Sequence, residues 1–396
     1  MFEISQRIVD TALTAKAGDD DPIALFAYDL DALKQHVHKL VTLLPESVSL
    51  YYAIKANSEK EILDTLAPVI DGFEISSGGE ISKVQQCESN KPFIFSGPGK
   101  LDSDLRLAIQ HGVEFIHVES LHEIQRLNQI AAESGVVQNI LIRINPSLPD
   151  NLSTKLSMAG TATPFGIEET DLVEAIQLTE TSPHLSLCGF HIHAMSHQTD
   201  VSKHLQLMEW YLHQWKLWKK ISTKPQTIQH LNVGGGIGVN YLNNQQFDWP
   251  LFCAELQQLL ARHEQVPFIR FEMGRFISAF CGYYIVQVLD IKSSHGQNFL
   301  VCRGGTHQFR LPVAQGHDHP VSHIALNDTV KNQPAKLYNI VGQLCTPKDI
   351  LSRNQALSNV HIGDLLVLPL AGAYGYNISH ADFLCHPRPQ QIFIGG

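Results

Sequence analysis

The sequence predicts an α/β protein made of a (β/α)₈ TIM barrel and a second, all-β domain built as a β-sandwich or β-barrel. Short apolar runs rich in β-branched and aromatic residues alternate with amphipathic helical stretches up to about residue 270. After Arg275 the pattern changes to short alternating runs broken by Gly, Pro, Asn and His. Alternation of strand and helix predicts parallel strand pairing, whereas the later pattern is typical of an all-β domain.

Eight strand-like runs precede Arg275, and eight βα units are the number that closes this kind of barrel. Helix candidates between them include 59–66, 120–132 and 203–219. The eight runs are 49–54, 72–75, 93–96, 114–118, 139–144, 187–193, 228–233 and 268–272.

The second domain is predicted from runs at 283–291, 298–302, 337–341 and 364–368. The segment 23–29 is also strand-like, and we expect it to pair with this domain and not with the barrel. The predicted division is therefore a barrel at 25–275 and a β-domain at 276–396 that residues 1–24 complete. The two domains interleave along the chain.

Composition excludes several classes of protein. A formal net charge of -10, from 29 Lys+Arg against 39 Asp+Glu, disfavours nucleic acid as a partner because such binding depends on basic contacts to phosphates. No segment approaches about eighteen consecutive apolar residues, and the N-terminus lacks an apolar signal region. We expect a cytoplasmic protein that acts on a small molecule, with neither membrane nor nucleic acid as a partner.

Cysteines and histidines give little support for a metal site. The seven cysteines are scattered and form no C-x-x-C pair, which disfavours a disulfide framework or a zinc site. His191, His193 and His197 cluster in sequence, but no acidic or thiol ligand lies near them in the chain. We therefore expect reduced thiols and no metal.

Three segments at strand ends carry chemistry. Lys55 ends the first barrel run, a glycine-rich segment at 234–238 follows the seventh, and Glu272 with Arg275 closes the eighth. A barrel of this type holds its active site at the C-terminal strand ends and often binds phosphate after the last two strands. Each feature alone has an ordinary explanation, since a solvated lysine and a glycine turn are common. Together they supply what pyridoxal phosphate needs, namely an amine, an anion cradle and a carboxylate.

The residues also indicate how such a cofactor is held. The Lys55 amine can bind its aldehyde covalently. Glycine amides of the 234–238 segment and the Arg275 guanidinium suit the phosphate, and Ser196 is a further candidate for it. Glu272 facing the pyridine nitrogen favours the protonated ring, which is the better electron sink and suits decarboxylation. His193 can stack on the ring, although a hydrogen-bonded core histidine is the alternative.

At this level of detail the chain resembles the fold-type III pyridoxal-phosphate decarboxylases of the ornithine and diaminopimelate decarboxylase family. The resemblance implies that Lys55 binds the aldehyde, His193 stacks on the ring and Glu272 holds the pyridine nitrogen. It implies a homodimer with shared active sites, in which Cys345 crosses the interface as the proton donor. It implies that Gly236 and Arg275 bind the phosphate and that Tyr374 touches phosphate or substrate. Ser196, Gly235 and Gly274 are further residues that we expect to bind the cofactor. The motifs that carry it are YAIKAN (52–57), GFEISSGGE (72–80), GGGIG (234–238), EMGR (272–275), CTPKD (345–349) and GAY (372–374).

Two departures from the family pattern bear on the substrate. Diaminopimelate and ornithine decarboxylases carry an acidic residue after the cysteine to bind a distal ammonium, whereas Thr346 follows Cys345 here. The segment HAMS at 193–196 replaces a glycine-containing version of its motif, with an effect we cannot assign.

The segment RGGTHQFRLP at 303–312 stands where the family contacts the far end of its substrate. Two arginines and a histidine, Arg303, Arg310 and His307, suit carboxylates better than an ammonium. Together with 342–349 and 371–380, this segment is similar to the decarboxylases of staphyloferrin B biosynthesis, which convert a citryl-diaminopropionate intermediate to citryl-diaminoethane. We expect Arg143, Arg303, His307, Arg310, Thr346 and Tyr374 near the substrate.

Three alternatives stay open at this point. The chain could decarboxylate diaminopimelate in lysine formation. It could be an amino-acid racemase, although an arginine faces the pyridine nitrogen in that family and Glu272 disagrees with it. It could also be an inactive homologue that regulates a decarboxylase, but such proteins lack cofactor residues that this chain has.

Overall fold

The computed structural model describes residues 3–88, 90–149, 159–326 and 334–396. The chain divides into two compact units. The barrel unit comprises residues 34–239 and 247–274, and the mixed-sheet unit comprises residues 1–33, 240–246 and 275–396.

Strands and helices of the described residues are numbered in chain order. The strands are β1 Ala24–Asp29, β2 Val48–Ala53, β3 Gly72–Ile75, β4 Phe93–Phe95, β5 Phe115–Val118, β6 Gln138–Asn145, β7 Ile167–Glu168, β8 Leu185–His191, β9 His230–Asn232, β10 Phe268–Met273, β11 Gly282–Ser294, β12 Gln297–Cys302, β13 Ser322–Ile324, β14 Lys336–Val341, β15 Ile350–Leu357, β16 Leu365–Leu368 and β17 Gln390–Ile394. The helices are α1 Gln6–Ala17, α2 Leu30–Thr42, α3 Lys60–Leu66, α4 Gly78–Gln85, α5 Asp102–Gln110, α6 Leu121–Glu133, α7 Leu172–Glu180, α8 Val201–Lys219, α9 Trp249–Ala261, α10 Arg275–Ser278 and α11 Leu311–Gln315.

The barrel unit is a closed parallel barrel. Its strands pair in the order β5-β4-β3-β2-β10-β9-β8-β6, and β5 pairs with β6 to close the ring. All eight predicted runs form these strands, so the predicted barrel is confirmed. The two-residue strand β7 pairs in addition with β6.

The barrel strands are buried on both faces, as parallel strands covered by helices must be. Each of the four residues of β3 and β5 is buried. The helices present one apolar stripe; in α6 this stripe includes Ile124 and Leu127, and Ser120 caps its start by accepting a hydrogen bond from Glu123 N. Because all strands are parallel, their C-terminal ends lie at one end of the barrel.

The mixed-sheet unit is built on an eight-stranded sheet. β11 pairs with β12 and β16, and β14 lies between β12 and β15. β1 pairs antiparallel with β11 and parallel with β17, which confirms that segment 23–29 belongs with the second domain. The apolar core on this sheet includes Ile8, Ala12, Leu25, Ala27, Ile285 and Val367.

The second unit contains helices α1, α10 and α11 beside its eight-stranded sheet. Its share of the chain is larger than the sequence predicted. Residues 25–33 lie in it, because β1 hydrogen-bonds to this sheet, and residues 240–246 belong to it as well. Within the described residues, no helix is both long and apolar enough to cross a membrane.

Candidate active site

Lys55 lies just beyond the end of β2, in a 3₁₀ turn formed by Ile54–Ala56. Its Nζ is 2.8 Å from Oε2 of Glu74, which is fully buried in β3. Ser76 Oγ donates to the other oxygen of Glu74 at 3.1 Å. Nearly half of the Lys55 side chain is exposed. The amine is therefore held by a buried carboxylate and remains accessible at the end of the barrel.

Glu272 is a buried carboxyl group in β10, with 6% of its surface exposed. Asn232, at the end of the neighbouring strand β9, donates from Nδ2 to Glu272 Oε1 at 2.8 Å. Two buried histidines flank the group: His117 Nδ1 is 3.6 Å from Oε1 and His191 Nε2 is 3.7 Å from Oε2.

The surroundings of Glu272 disfavour its ionised form. Burial raises the pKa of Glu272 to about 8, and the nearby Glu74 carboxylate adds to the rise. Lys55, Arg143 and the hydrogen bond from Asn232 act in the opposite direction. The structure thus brings Lys55 and Glu272 close enough to influence each other electrostatically.

His193 and the glycine segment lie together after β8 and β9. Gly235 N donates to His193 Nδ1 at 3.0 Å, and burial, with a smaller effect of Arg143 and Lys55, lowers the pKa of His193 to about 3. A Cβ on Gly235 would overlap with the carbonyl oxygen of Glu272, and one on Gly236 with that of Met195. Gly236 also has φ +99°, a conformation that favours glycine.

The loop of His193 continues through Ser196, which is partly buried, and is tied to the glycine segment further on. Gln198 N donates to Gly236 O, and Gly238 N donates to Gln198 O, each at 2.8 Å. These bonds bring the segment containing Ser196 beside the glycine segment. Gly274 is buried against the barrel, where a Cβ would approach Ala56 Cβ at 2.8 Å.

Arg143, expected near the substrate, is buried in β6 and ion-paired. Its Nη1 lies 2.8 Å from Oε1 of Glu119, and Phe165 packs against the guanidinium with 4.8 Å between Arg143 Cζ and the ring centre. Glu119 also accepts hydrogen bonds from Gly97 N at 2.7 Å and Gly166 N at 3.1 Å. The Arg143 charge is therefore neutralised within the barrel unit.

Arg275, in the mixed-sheet unit, is surrounded by neutral groups. Nη1 donates to Tyr241 Oη at 2.8 Å, and the guanidinium lies over the Tyr374 ring with 4.6 Å to the ring centre. The Gln315 amide, turned so that its oxygen faces the guanidinium, accepts from both terminal nitrogens. Tyr374 itself has φ +52°. Because no carboxylate of the described residues pairs with it, the Arg275 charge is available to an anion.

Arg303 and Arg310 of the mixed-sheet unit also lack a carboxylate partner within the described residues. Arg303 Nη1 donates to Gln343 Oε1 at 2.6 Å, and Gln343 Nε2 is 3.0 Å from His386 Nδ1. The Arg310 side chain is exposed. His307, by contrast, has no exposed surface, and its ring lies 5.1 Å from that of His386. His307 therefore packs against His386 within the mixed-sheet unit.

Cys345 and Thr346 follow β14 in a turn that Asp349 organises. The Cys345 thiol is exposed, and Thr346 is partly exposed. Asp349 is buried and accepts hydrogen bonds from Leu344 N at 2.8 Å and from Thr306 N at 2.6 Å. This one carboxylate fixes both the turn that presents Cys345 and the loop that follows Arg303.

Sequence reasoning missed several residues of these clusters. His117 and Asn232 contact Glu272, and Glu119 pairs with Arg143. Gln343 contacts Arg303, and His386 contacts Gln343. His117 is a polar residue inside an apolar run, which is the kind of position that could have identified it. The sequence predicts no metal site at His191, because no acidic residue lies near it in the chain. The fold supplies such a residue, because ligand atoms of His117, His191 and Glu272 lie within 4.8 Å of one another.

Comparison with known proteins identifies the class. The family described as pyridoxal-dependent decarboxylase, pyridoxal binding domain, matches residues 30–279. This chain belongs to that family, and it is a decarboxylase that uses pyridoxal phosphate.

Individual relatives match over nearly the whole chain. The 2-[(L-alanin-3-ylcarbamoyl)methyl]-2-hydroxybutanedioate decarboxylase of Staphylococcus aureus is 41% identical and aligns with 98% of each chain. A diaminopimelate decarboxylase of Vibrio cholerae is 30% identical over 94% of this chain and 87% of its own. The crystal structure of diaminopimelate decarboxylase from Helicobacter pylori with L-lysine has a TM-score of 0.84 at 25% identity, covering 96% of this chain and 94% of that one.

The described residues fit pyridoxal phosphate. The glycine segment after β9 has no side chains at Gly234, Gly235, Gly236 and Gly238, so a phosphate can approach its backbone closely. Glu272 supplies a buried carboxyl group of raised pKa for a basic ring nitrogen. Lys55 supplies an accessible amine. These are the groups that an anionic phosphate, a pyridine and an aldehyde require.

We expect Glu272→Gln to stabilise the cofactor-free protein increasingly as the pH rises from 5 to 8. An unfolded glutamate ionises near pH 4.5, whereas folded Glu272 retains its proton to about pH 8, so wild type loses stability across this window and the neutral glutamine does not. The difference should grow by up to about 1 kcal/mol per pH unit. Thermal unfolding at several pH values would measure it. Exposed Glu168→Gln is the control, and an equal difference at pH 5 and pH 8 would contradict the expectation.

Proposed function

We propose that this chain is a cytoplasmic, homodimeric decarboxylase that converts citryl-L-2,3-diaminopropionate to citryl-diaminoethane for a citrate-containing siderophore of the staphyloferrin B type. This substrate is 2-[(L-alanin-3-ylcarbamoyl)methyl]-2-hydroxybutanedioate, the compound named for the S. aureus relative. It joins an amino acid to a fragment that carries two further carboxylates. The enzyme would remove only the amino acid's carboxylate.

The choice of substrate rests on two arginines, Arg303 and Arg310, that have no carboxylate partner among the described residues. In a chain with ten more acidic than basic side chains, most arginines of the described residues are neutralised by an acid. Those that pair with a carboxylate are Arg7, Arg106, Arg126, Arg143, Arg270, Arg353 and Arg388. Two unneutralised guanidinium groups within eight residues of sequence suit a ligand that brings its own carboxylates.

Thr346 supports the same choice. An acid at this position would suit a distal ammonium, as in diaminopimelate or ornithine, and a threonine does not. Asp349, three residues later, accepts backbone hydrogen bonds from Leu344 and Thr306 and is buried, so it does not replace the missing acid. His307 supports the His386 ring in this proposal and does not itself touch substrate.

In this proposal the barrel residues assist the loss of carbon dioxide. Pyridoxal phosphate supplies the electron sink for the pair left on Cα when the carboxylate leaves. Glu74 orients the Lys55 amine that binds the aldehyde, and His193 supports the ring. Glu272 favours the protonated pyridine nitrogen. The exposed Cys345 thiol delivers a proton to Cα.

The first test is mass-spectrometric turnover by the cofactor-loaded protein. We expect loss of one carbon dioxide from citryl-diaminopropionate and no turnover of meso-diaminopimelate, ornithine or lysine. Lys55→Ala, which lacks the amine for the aldehyde, should be inactive. Turnover of meso-diaminopimelate alone would reject the proposal and indicate a diaminopimelate decarboxylase. The 30% identical V. cholerae relative is an enzyme of that kind.

We expect Arg310→Ala to raise the KM for the citryl substrate about 10- to 100-fold with a much smaller change in kcat. Loss of one charge-assisted hydrogen bond costs about 1.5–3 kcal/mol, and a group that reads the distant end of a substrate contributes to binding more than to the chemical step. Steady-state kinetics measure the effect, with the similarly exposed Arg262→Ala as the matched control. An unchanged KM would exclude Arg310 from the substrate site.

The homodimer with shared sites can be tested by mixing two inactive variants. If Lys55 and Cys345 of one site come from different chains, Lys55→Ala and Cys345→Ala proteins should regain part of the wild-type activity after they are dissociated and reassociated together. Each variant treated alone is the control and should remain inactive. A mixture that also stays inactive would place both residues of a site on one chain.

A further inference from the structure

Two histidines that the proposed reaction does not use face Glu272 inside the barrel. His117 lies in β5 with no exposed surface, and His191 ends β8 with 1% exposed. Their rings are 4.3 Å apart and inclined at 45°. His117 approaches one oxygen of Glu272 and His191 approaches the other. The carboxyl group therefore has an imidazole on each side.

The position of His117 is fixed by its neighbours. Ser96 Oγ is 2.9 Å from its Nδ1, and the buried Lys100 ammonium donates to its carbonyl oxygen at 2.6 Å. Lys100 is in turn ion-paired with Glu123 at 2.6 Å. A ring held in this way has little freedom to turn from Glu272.

Burial is the main cause that lowers the pKa of each ring well below that of a free imidazole, and nearby positive charges such as Arg143 and Lys55 lower both further. These surroundings favour the neutral form of both rings. A neutral imidazole carries one N–H to donate and one nitrogen that accepts. Neither nitrogen of His191 nor Nε2 of His117 has a hydrogen-bond partner among the described residues. Of these nitrogens His191 Nε2 is the one that faces Glu272, whereas His117 faces Glu272 with Nδ1. A buried nitrogen without a partner is costly, so a group that engages His191 Nε2 would be stabilised.

Glu272 is the group within reach. Asn232 already binds Oε1, and the ionised carboxylate can accept further hydrogen bonds on both oxygens. Distances of 3.6 and 3.7 Å are slightly too long for hydrogen bonds and become suitable with a small shift of either side chain. Ionisation of Glu272 would favour that shift. Ser96 Oγ already lies 2.9 Å from His117 Nδ1, so an N–H on this nitrogen would be shared between Ser96 Oγ and Glu272 Oε1.

We propose that His117 and His191 are positioning residues that donate ring N–H groups to the two oxygens of Glu272, hold it ionised, and thereby keep the pyridine nitrogen of bound pyridoxal phosphate protonated. This inference rests on the proposed role of Glu272. Without the two donors, Glu272 competes more strongly for the proton that the ring needs. The rings act through Glu272 and do not touch the reacting atoms.

The test uses the loaded enzyme with pyridoxal phosphate labelled with ¹⁵N in its ring. In His117→Leu and His191→Leu, the ¹⁵N resonance should move toward the unprotonated position. The kcat should fall about 10-fold or more with little change in KM, since a transition-state interaction is lost.

Conservative variants separate hydrogen bonding from packing. In His117→Asn the amide N–H takes the approximate place of Nδ1, and in His191→Gln that of Nε2, so both should keep the wild-type resonance. In the exchanged variants His117→Gln and His191→Asn the amide donor is misplaced. The ¹⁵N resonance of these variants should therefore match that of the leucine variants. The control is His204→Leu, which removes another buried, neutral imidazole and should leave the resonance unchanged. Thermal unfolding of every variant identifies any loss of folding.

Two results would overturn the inference, and they differ in what else they reject. If Glu272→Gln shifts the resonance and both leucine variants do not, the histidines have no positioning role and the role of Glu272 stands. If Glu272→Gln leaves the resonance unchanged, the proposed role of Glu272 fails together with this inference. Should the leucine variants not fold, the two misplaced amides provide the same comparison.

Discussion

The burial of the Glu272 carboxyl group is the constraint around which the barrel interior is arranged. A carboxyl group with almost no solvent contact needs hydrogen-bond donors, and barrel closure provides them by placing β10 beside β9, which carries Asn232. Burial alone would leave this group protonated at neutral pH. Neighbouring positive charges, neutral imidazoles and the bound ring nitrogen together can reverse that preference. The buried carboxyl group therefore lowers the stability of the cofactor-free protein, and it provides a carboxylate that interacts strongly with the bound cofactor.

The groups around Glu272 are buried and closely spaced, and this close spacing explains the glycines around the site. Gly235 and Gly236 pass so near to backbone carbonyls that any side chain would force the strands apart. In the mixed-sheet unit, Gly305 and Gly342 approach each other in the same way, which lets Asp349 bind the backbone of both loops. Close backbone approach thus fixes the turn of Cys345 and the loop after Arg303 without using side chains that a substrate needs.

Charge is distributed differently in the two units. In the barrel unit, cations of the described core are neutralised internally, as Arg143 is by Glu119 and Lys100 by Glu123. In the mixed-sheet unit, Arg275, Arg303 and Arg310 have tyrosine, amide or solvent partners. Internal pairs contribute to a fixed structure, whereas unneutralised guanidinium groups remain available to anions.

The sequence by itself determined the strand and helix alternation, the eight barrel strands and the pairing of segment 23–29 with the second sheet. It also placed Lys55, Glu272 and the glycine segment at strand ends, because apolar periodicity and its termination are local properties of a chain. Only the tertiary structure decided which side chains meet across strands. His117, Asn232 and Glu119 are distant from their partners in sequence. Gln343 reaches Arg303 and His386 reaches Gln343 from separate loops. Such contacts depend on strand register, barrel closure and loop packing, and a single sequence does not specify these locally.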